Sequence, residues 1–230
     1  MIIHRINFPF YGLIIVLSVL IGLLYIYKNL RKEGIEKKYI FYYALLFIPF
    51  AFICGKIYTM LVNFDQGINL LTAGLSAYGG LFGVVIASII YEYIFPSNKK
   101  FIKYTILSLP LIYGLTKIAC SIVGCCHGIP YQGLFAVKYV DVLDEFLFPV
   151  QMLEVILNLI LFFIVNKLKD KKNITFIILI SVSIIKFLTD FLRYDHINTM
   201  ITPNQVFSIF IIVVTIVVLI IYRKKDIKKI

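Results

Sequence analysis

The sequence has few charged residues, and its cysteines and histidines do not follow the spacing of a standard metal site. Only 15% of its 230 residues are Asp, Glu, Lys or Arg, whereas 61% are hydrophobic and the mean hydropathy is +0.95. This composition excludes an ordinary soluble domain. Internal repeats, low-complexity tracts and linkers are also absent from the sequence, so we predict a single domain over residues 1–230.

Seven apolar stretches are long enough, or nearly so, to cross the roughly 30 Å hydrocarbon core of a bilayer as helices. They lie near residues 10–28, 39–62, 76–95, 101–120, 149–166, 174–193 and 203–222. The first has no basic flank beyond Arg5 and no small-residue cleavage site, so we expect a span and not a cleaved signal. The predicted fold class is all-α, a polytopic membrane protein with about seven transmembrane helices.

The net charge of +11 follows a pattern along the chain. Most lysines and arginines follow the first, third, fifth and seventh spans, whereas the opposite loops hold only Arg5, Lys138 and Arg193. By the positive-inside rule, this pattern predicts an N-terminus outside and a C-terminus in the cytoplasm. Basic residues of this kind set topology and contact anionic lipid, so we predict no nucleic-acid partner.

Three lysines, Lys56, Lys117 and Lys186, fall inside apolar spans. A charged residue at the centre of a membrane helix costs about 2.5–3.5 kcal/mol on the insertion scale. Each lysine could extend its ammonium group to an interface. All three, however, lie in the predicted outer halves of their spans, which favours a shared function.

Two further spans carry polar residues at helical spacing. Gln151 and Glu154 share one face of the fifth span, and a buried lysine is the natural partner of Glu154. Lys186, Asp190 and Arg193 lie at i, i+4 and i+7 of the sixth, where an intrahelical pair could simply lower the cost of insertion. Together these residues predict a cationic cavity that faces outward and suits an anionic headgroup such as phosphate.

The segment from Lys117 to Ile129 holds the densest set of reactive side chains. Lys117, Cys120 and Gly124 share a helix face, and the glycines then open the backbone into a loop. The reactive groups of that loop are Cys125, Cys126 and His127. Adjacent cysteines suit a tetrahedral metal poorly, so we predict neither a metal nor a cofactor. A disulfide from Cys120 to Cys125 or Cys126, an outer-face redox function, and thiol catalysis with His127 as base stay open.

Three other features lie at the predicted outer surface. Gly79 and Gly80 belong to a glycine-rich entry to the third span, which serves close helix packing, presents backbone N–H groups to an anion, or does both. Tyr11 lies at the outer edge of the first span, where a tyrosine alone would be an interfacial residue. Residues 129–148, which include Asp141, form an outer loop large enough for a small lid.

The order of these motifs along the whole chain resembles the prolipoprotein diacylglyceryl transferase family. The resemblance is carried by Tyr11-Gly12, Gly55-Lys56, Asn63-Phe64-Asp65, Gly74 to Gly83, Lys117 to Gly128, Pro149-Val150-Gln151 with Glu154, Lys186 to Arg193, and Gln205 with Ser208. Enzymes of this family move the diacylglyceryl group of phosphatidylglycerol onto the lipobox cysteine of an exported prolipoprotein, which forms a thioether and releases glycerol phosphate. The resemblance implies a multi-pass enzyme of the bacterial plasma membrane with its active site outside. Its partners would be phosphatidylglycerol, or a related anionic phospholipid, and the prolipoprotein.

The resemblance also implies roles for individual residues. Lys117 and Lys186 would bind the phosphate, Tyr78 would orient or protonate a headgroup oxygen, and Asp190 would hold the lysines; these four form the implied catalytic set. The implied substrate-binding residues are Tyr11, Lys56, Gly79, Gly80, Cys120, Gly124, Gly128, Gln151, Glu154 and Arg193. Because Tyr78 stands where the family has a histidine, the alternative is a catalytically altered homologue that binds phospholipid or transfers a headgroup to another acceptor.

Overall fold

The computed structural model describes residues 2–3, 8–64, 69–96, 100–139, 144–197 and 199–227. Asp141 of the predicted outer loop and Asp65 of the Asn63-Phe64-Asp65 motif lie outside these residues. The described chain forms seven long α-helices: α1 (Phe8–Lys32), α2 (Lys37–Val62), α3 (Ala77–Ile94), α4 (Phe101–Val123), α5 (Val150–Lys167), α6 (Ile174–Asp190) and α7 (Pro203–Ile227). Each coincides with one predicted apolar stretch, so the all-helical fold class is confirmed.

Six of these helices, α1 to α5 and α7, are long and apolar enough to span a membrane. The remaining helix, α6, has 17 residues, one fewer than α3 and α5, and rises about 26 Å at 1.5 Å per residue. It ends at Asp190, three residues before the predicted boundary at 193, and a short 3₁₀ turn follows at Tyr194–His196. The count of seven spans and the outward N-terminus stay predictions.

Contacts within the fold divide it into two compact units. One contains the described residues up to Leu17 together with those from Gly114 onward, and the other contains Ser18–Tyr113. The division falls within α1 and α4, so each of these helices contributes residues to both units. A single functional domain over residues 1–230 stays a prediction.

The unit formed by Ser18–Tyr113 has an aromatic core near one end of its helices. The rings of Tyr43, Tyr91 and Phe101 are all buried, and their centroids lie 4.6–5.3 Å apart. Nearby, Tyr104 donates a 2.5 Å hydrogen bond to Glu33 in the turn after α1. The Lys100 ammonium and the Tyr104 hydroxyl, which both bind Glu33, hold the pKa of that carboxyl below its usual value.

The loop that follows α4 in the other unit is held by backbone hydrogen bonds. Val137 and Leu147 exchange two, of 3.0 and 2.8 Å, and Tyr131 N donates to Phe146 O at 2.8 Å. A two-residue strand, β2 (Lys138–Tyr139), pairs in parallel with β1 (Ile2–Ile3). Burial raises the pKa of Tyr139 to about 12, so its hydroxyl stays protonated and can donate at physiological pH.

Candidate functional site

A buried carboxylate joins three helices in the unit that contains the end of α4. Glu154 on α5 accepts from Lys117 on α4 at 2.6 Å and from Lys186 on α6 at 3.2 Å. The Thr189 hydroxyl donates to the same carboxylate at 3.0 Å. The side chains of Glu154 and Lys186 are each 1% exposed. The prediction that Glu154 pairs with a buried lysine is therefore confirmed, and the structure adds that it pairs with two.

A second carboxylate extends this network toward the end of α6. Asp190 lies 2.9 Å from Lys186 Nζ and 3.6 Å from Arg193 Nη1. The hydroxyl of Thr202, just before α7, donates to its other oxygen. Arg193 also contacts Asp195 at 2.7 Å, on the other edge of its guanidinium group. Lys186 and Asp190 on α6, and Arg193 three residues after its end, thus belong to one network that reaches α4, α5 and the residue before α7.

The buried network carries one positive charge in excess. Its cations are Lys117, Lys186 and Arg193, and its buried carboxylates are Glu154 and Asp190. Asp195, which pairs with Arg193 at 2.7 Å, is left out of this count because its side chain is 68% exposed and lies outside the buried network. Taking ions out of water is expensive unless each finds a partner, so an unbalanced buried network favours an anionic ligand.

Two buried hydrogen-bond donors beside the network have no acceptor among the residues that the structure describes. They are Arg193 Nε and Gln205 Nε2. Gln205 is held in place because its Oε1 accepts from Thr202 N at 3.0 Å, which leaves its amide nitrogen unused. An unpaired buried donor costs about 1–3 kcal/mol, and a ligand with acceptor oxygens would remove that cost.

The loop after α4 positions Arg193 through its backbone. Gly128 pairs with Arg193 as an antiparallel bridge, Ile129 N donates to Leu192 O at 3.0 Å, and Tyr194 N donates to His127 O at 3.1 Å. Gly128 must be a glycine, because an added Cβ would lie 2.3 Å from the carbonyl oxygen of Phe148. The structure thus shows a packing role for Gly128, and its implied role in substrate binding stays a prediction.

The thiols lie at the end of α4, in the same unit as the ion network. Gly124 ends α4 with φ +75°, as the predicted opening of the backbone requires. Gln151 Nε2 donates to the carbonyl oxygen of Cys125 at 2.9 Å, so α5 fixes the turn that holds the thiols. Cys120 is buried on the last turn of α4. Tyr11 on α1 belongs to the same unit, and its implied role in substrate binding stays a prediction.

Four predicted site residues belong to the other unit: Lys56, Tyr78, Gly79 and Gly80. Lys56 does not join the buried ion pairs; its ammonium group donates to the carbonyl oxygens of Leu70 and Leu71 at 3.0 and 3.2 Å. Tyr78 is buried, and its ring centroid lies 6.2 Å from that of Tyr58 and 6.5 Å from that of Tyr113. The roles of Lys56 and Tyr78 toward a lipid stay predictions.

The glycine-rich entry to α3 packs closely against α2. A Cβ on Gly79 would lie 2.4 Å from Tyr58 Cβ, and one on Gly80 would lie 3.1 Å from Ala51 O. Their N–H groups are both engaged by Ser76, through its hydroxyl at 3.3 Å and its carbonyl oxygen at 3.0 Å. The packing role of these glycines is thus visible, whereas anion binding by their N–H groups stays a prediction.

Ser76→Ala is expected to destabilise the protein by about 1 kcal/mol, the usual cost of removing a helix N-cap. Ser76→Asp keeps an oxygen that can accept from Gly79 N and should retain most of the stability. The measurement is unfolding of the detergent-solubilised protein followed by loss of helical circular dichroism. Equal stability of the two variants would show that the cap contributes nothing.

Thr189, Thr202 and Gln205 complete the network but were not among the predicted site residues. Thr202 and Gln205 lie in a polar entry to the seventh span, and Thr189 lies one residue before Asp190. These positions are the only sequence features that could have suggested that the three residues belong to the site. Neutral side chains at span ends are common, and nothing local in the sequence shows that these three contact the buried carboxylates and their surroundings.

Comparison with known proteins identifies the family of this chain. A model of the prolipoprotein diacylglyceryl transferase family matches residues 1–221. A Finegoldia magna protein named phosphatidylglycerol–prolipoprotein diacylglyceryl transferase is 26% identical over 239 aligned positions, which cover 98% of this chain and 96% of that protein. A Clostridium tetani protein of the same name is 25% identical, with 90% of each chain covered.

A third relative covers less of the chain. A Clostridioides difficile protein of the same name is 29% identical over 133 residues, which amount to 54% of this chain and 53% of that protein. The family match and the two long alignments confirm the resemblance seen in the sequence motifs. The chain belongs to the prolipoprotein diacylglyceryl transferase family of lipoprotein biosynthesis.

Proposed function

We propose that this protein transfers the diacylglyceryl group of phosphatidylglycerol to the cysteine thiol of a prolipoprotein lipobox. The observation that carries the proposal is the buried network around Glu154, which has one positive charge in excess. The phosphodiester of phosphatidylglycerol bears a single negative charge and would balance it. Its unesterified oxygens would also accept from the unpaired donors Arg193 Nε and Gln205 Nε2.

The cations of the network have different tasks in this proposal. Arg193 is 11% exposed and lies at the rim, so we assign it direct contact with the phosphate. Its planar guanidinium can bind two phosphate oxygens at once, which an ammonium group cannot do. Lys186 and Lys117 are 1% and 5% exposed. We assign them an electrostatic role: their positive potential favours the phosphate, which Arg193 contacts. Glu154 and Asp190 hold the two lysines in place.

The reaction requires a sulfur nucleophile and a phosphate leaving group. The acceptor cysteine reacts as its thiolate, which is the nucleophilic form. Its sulfur attacks the glyceryl carbon that carries the phosphate; a carbon–sulfur bond forms, the carbon–oxygen bond breaks, and the electron pair leaves with glycerol phosphate. The thiol proton goes to solvent or to the departing phosphate. Positive charge near that phosphate stabilises the negative charge that develops on it.

The second candidate function is transfer of phospholipid to a different acceptor, and the tyrosine at position 78 favours it. A tyrosine with a pKa near 10 is a weak base at neutral pH, and Tyr78 is buried among other tyrosines. A homologue that binds phospholipid but passes it to another acceptor would need the ion network and not a base at this position.

We propose the plasma membrane as the location, with the network near its outer surface.

The test uses purified protein in liposomes of phosphatidylglycerol labelled in the glycerol carbons of its diacylglyceryl part. A lipobox peptide is the acceptor, and the same peptide with serine in place of cysteine is the matched control. Transfer would leave label on the cysteine peptide alone, and the label would survive alkaline removal of the fatty acids because a thioether resists base. Retained lipid binding without peptide label would favour the altered-acceptor function instead.

A further inference from the structure

Three sulfur atoms meet where α4 ends. The Sγ atoms of Cys120, Cys125 and Cys126 all lie within 4.8 Å of one another, and none of the three cysteines is in a disulfide. Cys120 is buried, whereas the other two are partly accessible. The transfer reaction proposed above uses the thiol of the acceptor peptide. Cys125 and Cys126 therefore have no assigned task in it, and Cys120 has only the substrate-binding role that the family resemblance implies.

The backbone explains how two adjacent cysteines direct their sulfurs toward one point. Gly124 and Cys126 have φ of +75° and +56°, a left-handed conformation that is uncommon for residues other than glycine. The chain therefore reverses direction after α4, and Cys125 Sγ comes within 3.9 Å of the carbonyl oxygen of Cys120. The hydrogen bond from Gln151 to the Cys125 carbonyl oxygen holds this turn from α5.

We propose that Cys120, Cys125 and Cys126 bind one monovalent copper ion through their three sulfurs. Thiolates are soft ligands that select Cu(I). With metal–sulfur bonds of about 2.3 Å, three sulfurs in a trigonal plane stand about 4.0 Å apart. The sulfurs already lie within 4.8 Å of one another, so no separation needs to shorten by more than about 1 Å. This proposal revises the prediction of no metal, which considered only a tetrahedral site.

The surroundings favour three ligands over four. Among the described residues, no His, Asp or Glu side chain joins the three sulfurs at ligand distance. Nδ1 of His127, the nearest histidine in the sequence, lies 3.2 Å from the carbonyl oxygen of Gly124 instead. Structural zinc takes four ligands, so a set of three sulfurs suits Cu(I) better.

The experiment measures copper binding by the full-length protein in detergent, without oxygen, against a competing Cu(I) chelator. We expect one Cu(I) per chain, and X-ray absorption at the copper edge should show three sulfur neighbours. Cys120→Ser, Cys125→Ser and Cys126→Ser should each weaken binding at least about 100-fold, since outer-shell changes alone cost about 10–100-fold. Cys54→Ser is the matched control, because Cys54 lies on α2 outside the cluster, and it should bind copper like the unmodified protein.

Several results would overturn the copper site. One is Cu(I) binding that is unchanged in all three cluster variants; another is a four-coordinate zinc ion bound in preference to copper. A disulfide between two of the three cysteines, found by mass spectrometry of protein isolated without reductant, would also exclude it. Gel-filtration profiles identify any variant that fails to fold, and Cys125→Ala and Cys126→Ala then replace it. Copper binding is measured without lipid transfer, so failure of one proposal is distinguishable from failure of the other.

Discussion

Lys117→Met is expected to lower the rate of diacylglyceryl transfer about 100-fold, the loss typical of removing one preorganised electrostatic contact to developing charge. The substitution removes the positive excess of the buried network. The protein should still fold, because Glu154 keeps Lys186 at 3.2 Å and Thr189 at 3.0 Å. Lys186→Met should have a similar effect, since Asp190 keeps Arg193 and Thr202 as partners.

The measurement is the initial rate of label transfer in proteoliposomes that contain equal amounts of folded protein. Lys38→Met is the matched control, because Lys38 pairs at 2.9 Å with the exposed carboxylate of Glu36 and lies outside the network. Full activity of both Lys117→Met and Lys186→Met would contradict the assignment of the phosphate to this network.

A double variant separates the charge of Lys117 from its contacts. Lys117→Met with Glu154→Gln leaves Lys186 and Arg193 against Asp190, which restores one positive charge in excess. If Lys117 acts through its electrostatic potential and not by contact with the phosphate, the double variant should bind phosphatidylglycerol vesicles at least about tenfold more tightly than Lys117→Met alone. That gain corresponds to about 1.4 kcal/mol. No recovery would show that Lys117 acts by direct contact.

Gly128→Ala is expected to destabilise the protein by about 3 kcal/mol, at the upper end for overpacking. The added Cβ would lie 2.3 Å from Phe148 O and 2.9 Å from Leu192 O. Both oxygens are backbone atoms that accept hydrogen bonds, from Val150 N and Ile129 N, so neither can move without breaking local structure. Because Gly128 pairs with Arg193, phosphate binding should weaken as well.

Thermal unfolding in detergent provides the measurement for Gly128→Ala. A loss of about 3 kcal/mol corresponds to a fall in Tm of about 6–12 °C for a chain of this size. Gly74→Ala is the matched control, because Gly74 also lies outside the helices and an added Cβ there would meet no atom within 4 Å. Equal Tm values for the two variants would show that the loop can relax around the new methyl group.

The helices were predictable from the sequence because apolar runs of membrane length have few alternatives. The pairing of Glu154 with a lysine was predictable for a similar reason, since an unpaired carboxylate in hydrocarbon is too costly. The grouping of Lys56 with the other two lysines was not established by the structure, in which Lys56 binds backbone carbonyl oxygens. Its position in an apolar span is satisfied by local contacts that sequence periodicity does not reveal.

The details of the site depended on contacts that are distant in the sequence. The contact of Thr202 with Asp190 crosses from the start of α7 to the end of α6. The convergence of the three sulfurs depends on the left-handed backbone at Cys126, a conformation that an adjacent pair of cysteines does not by itself predict. In both places a backbone turn brings the side chains together, and the residue types permit that turn but do not require it.

The bond between Glu154 and Lys117 has a consequence for how the protein is made. The ribosome delivers α4 before α5, so Lys117 reaches the translocon before its carboxylate partner has been synthesised. Releasing α4 alone into lipid would expose the ammonium group, at a cost bounded by the value of about 2.5–3.5 kcal/mol at the bilayer centre. We therefore expect α4 to wait in the translocon for α5, so that the two helices partition into the bilayer together as a hairpin whose ion pair is already formed.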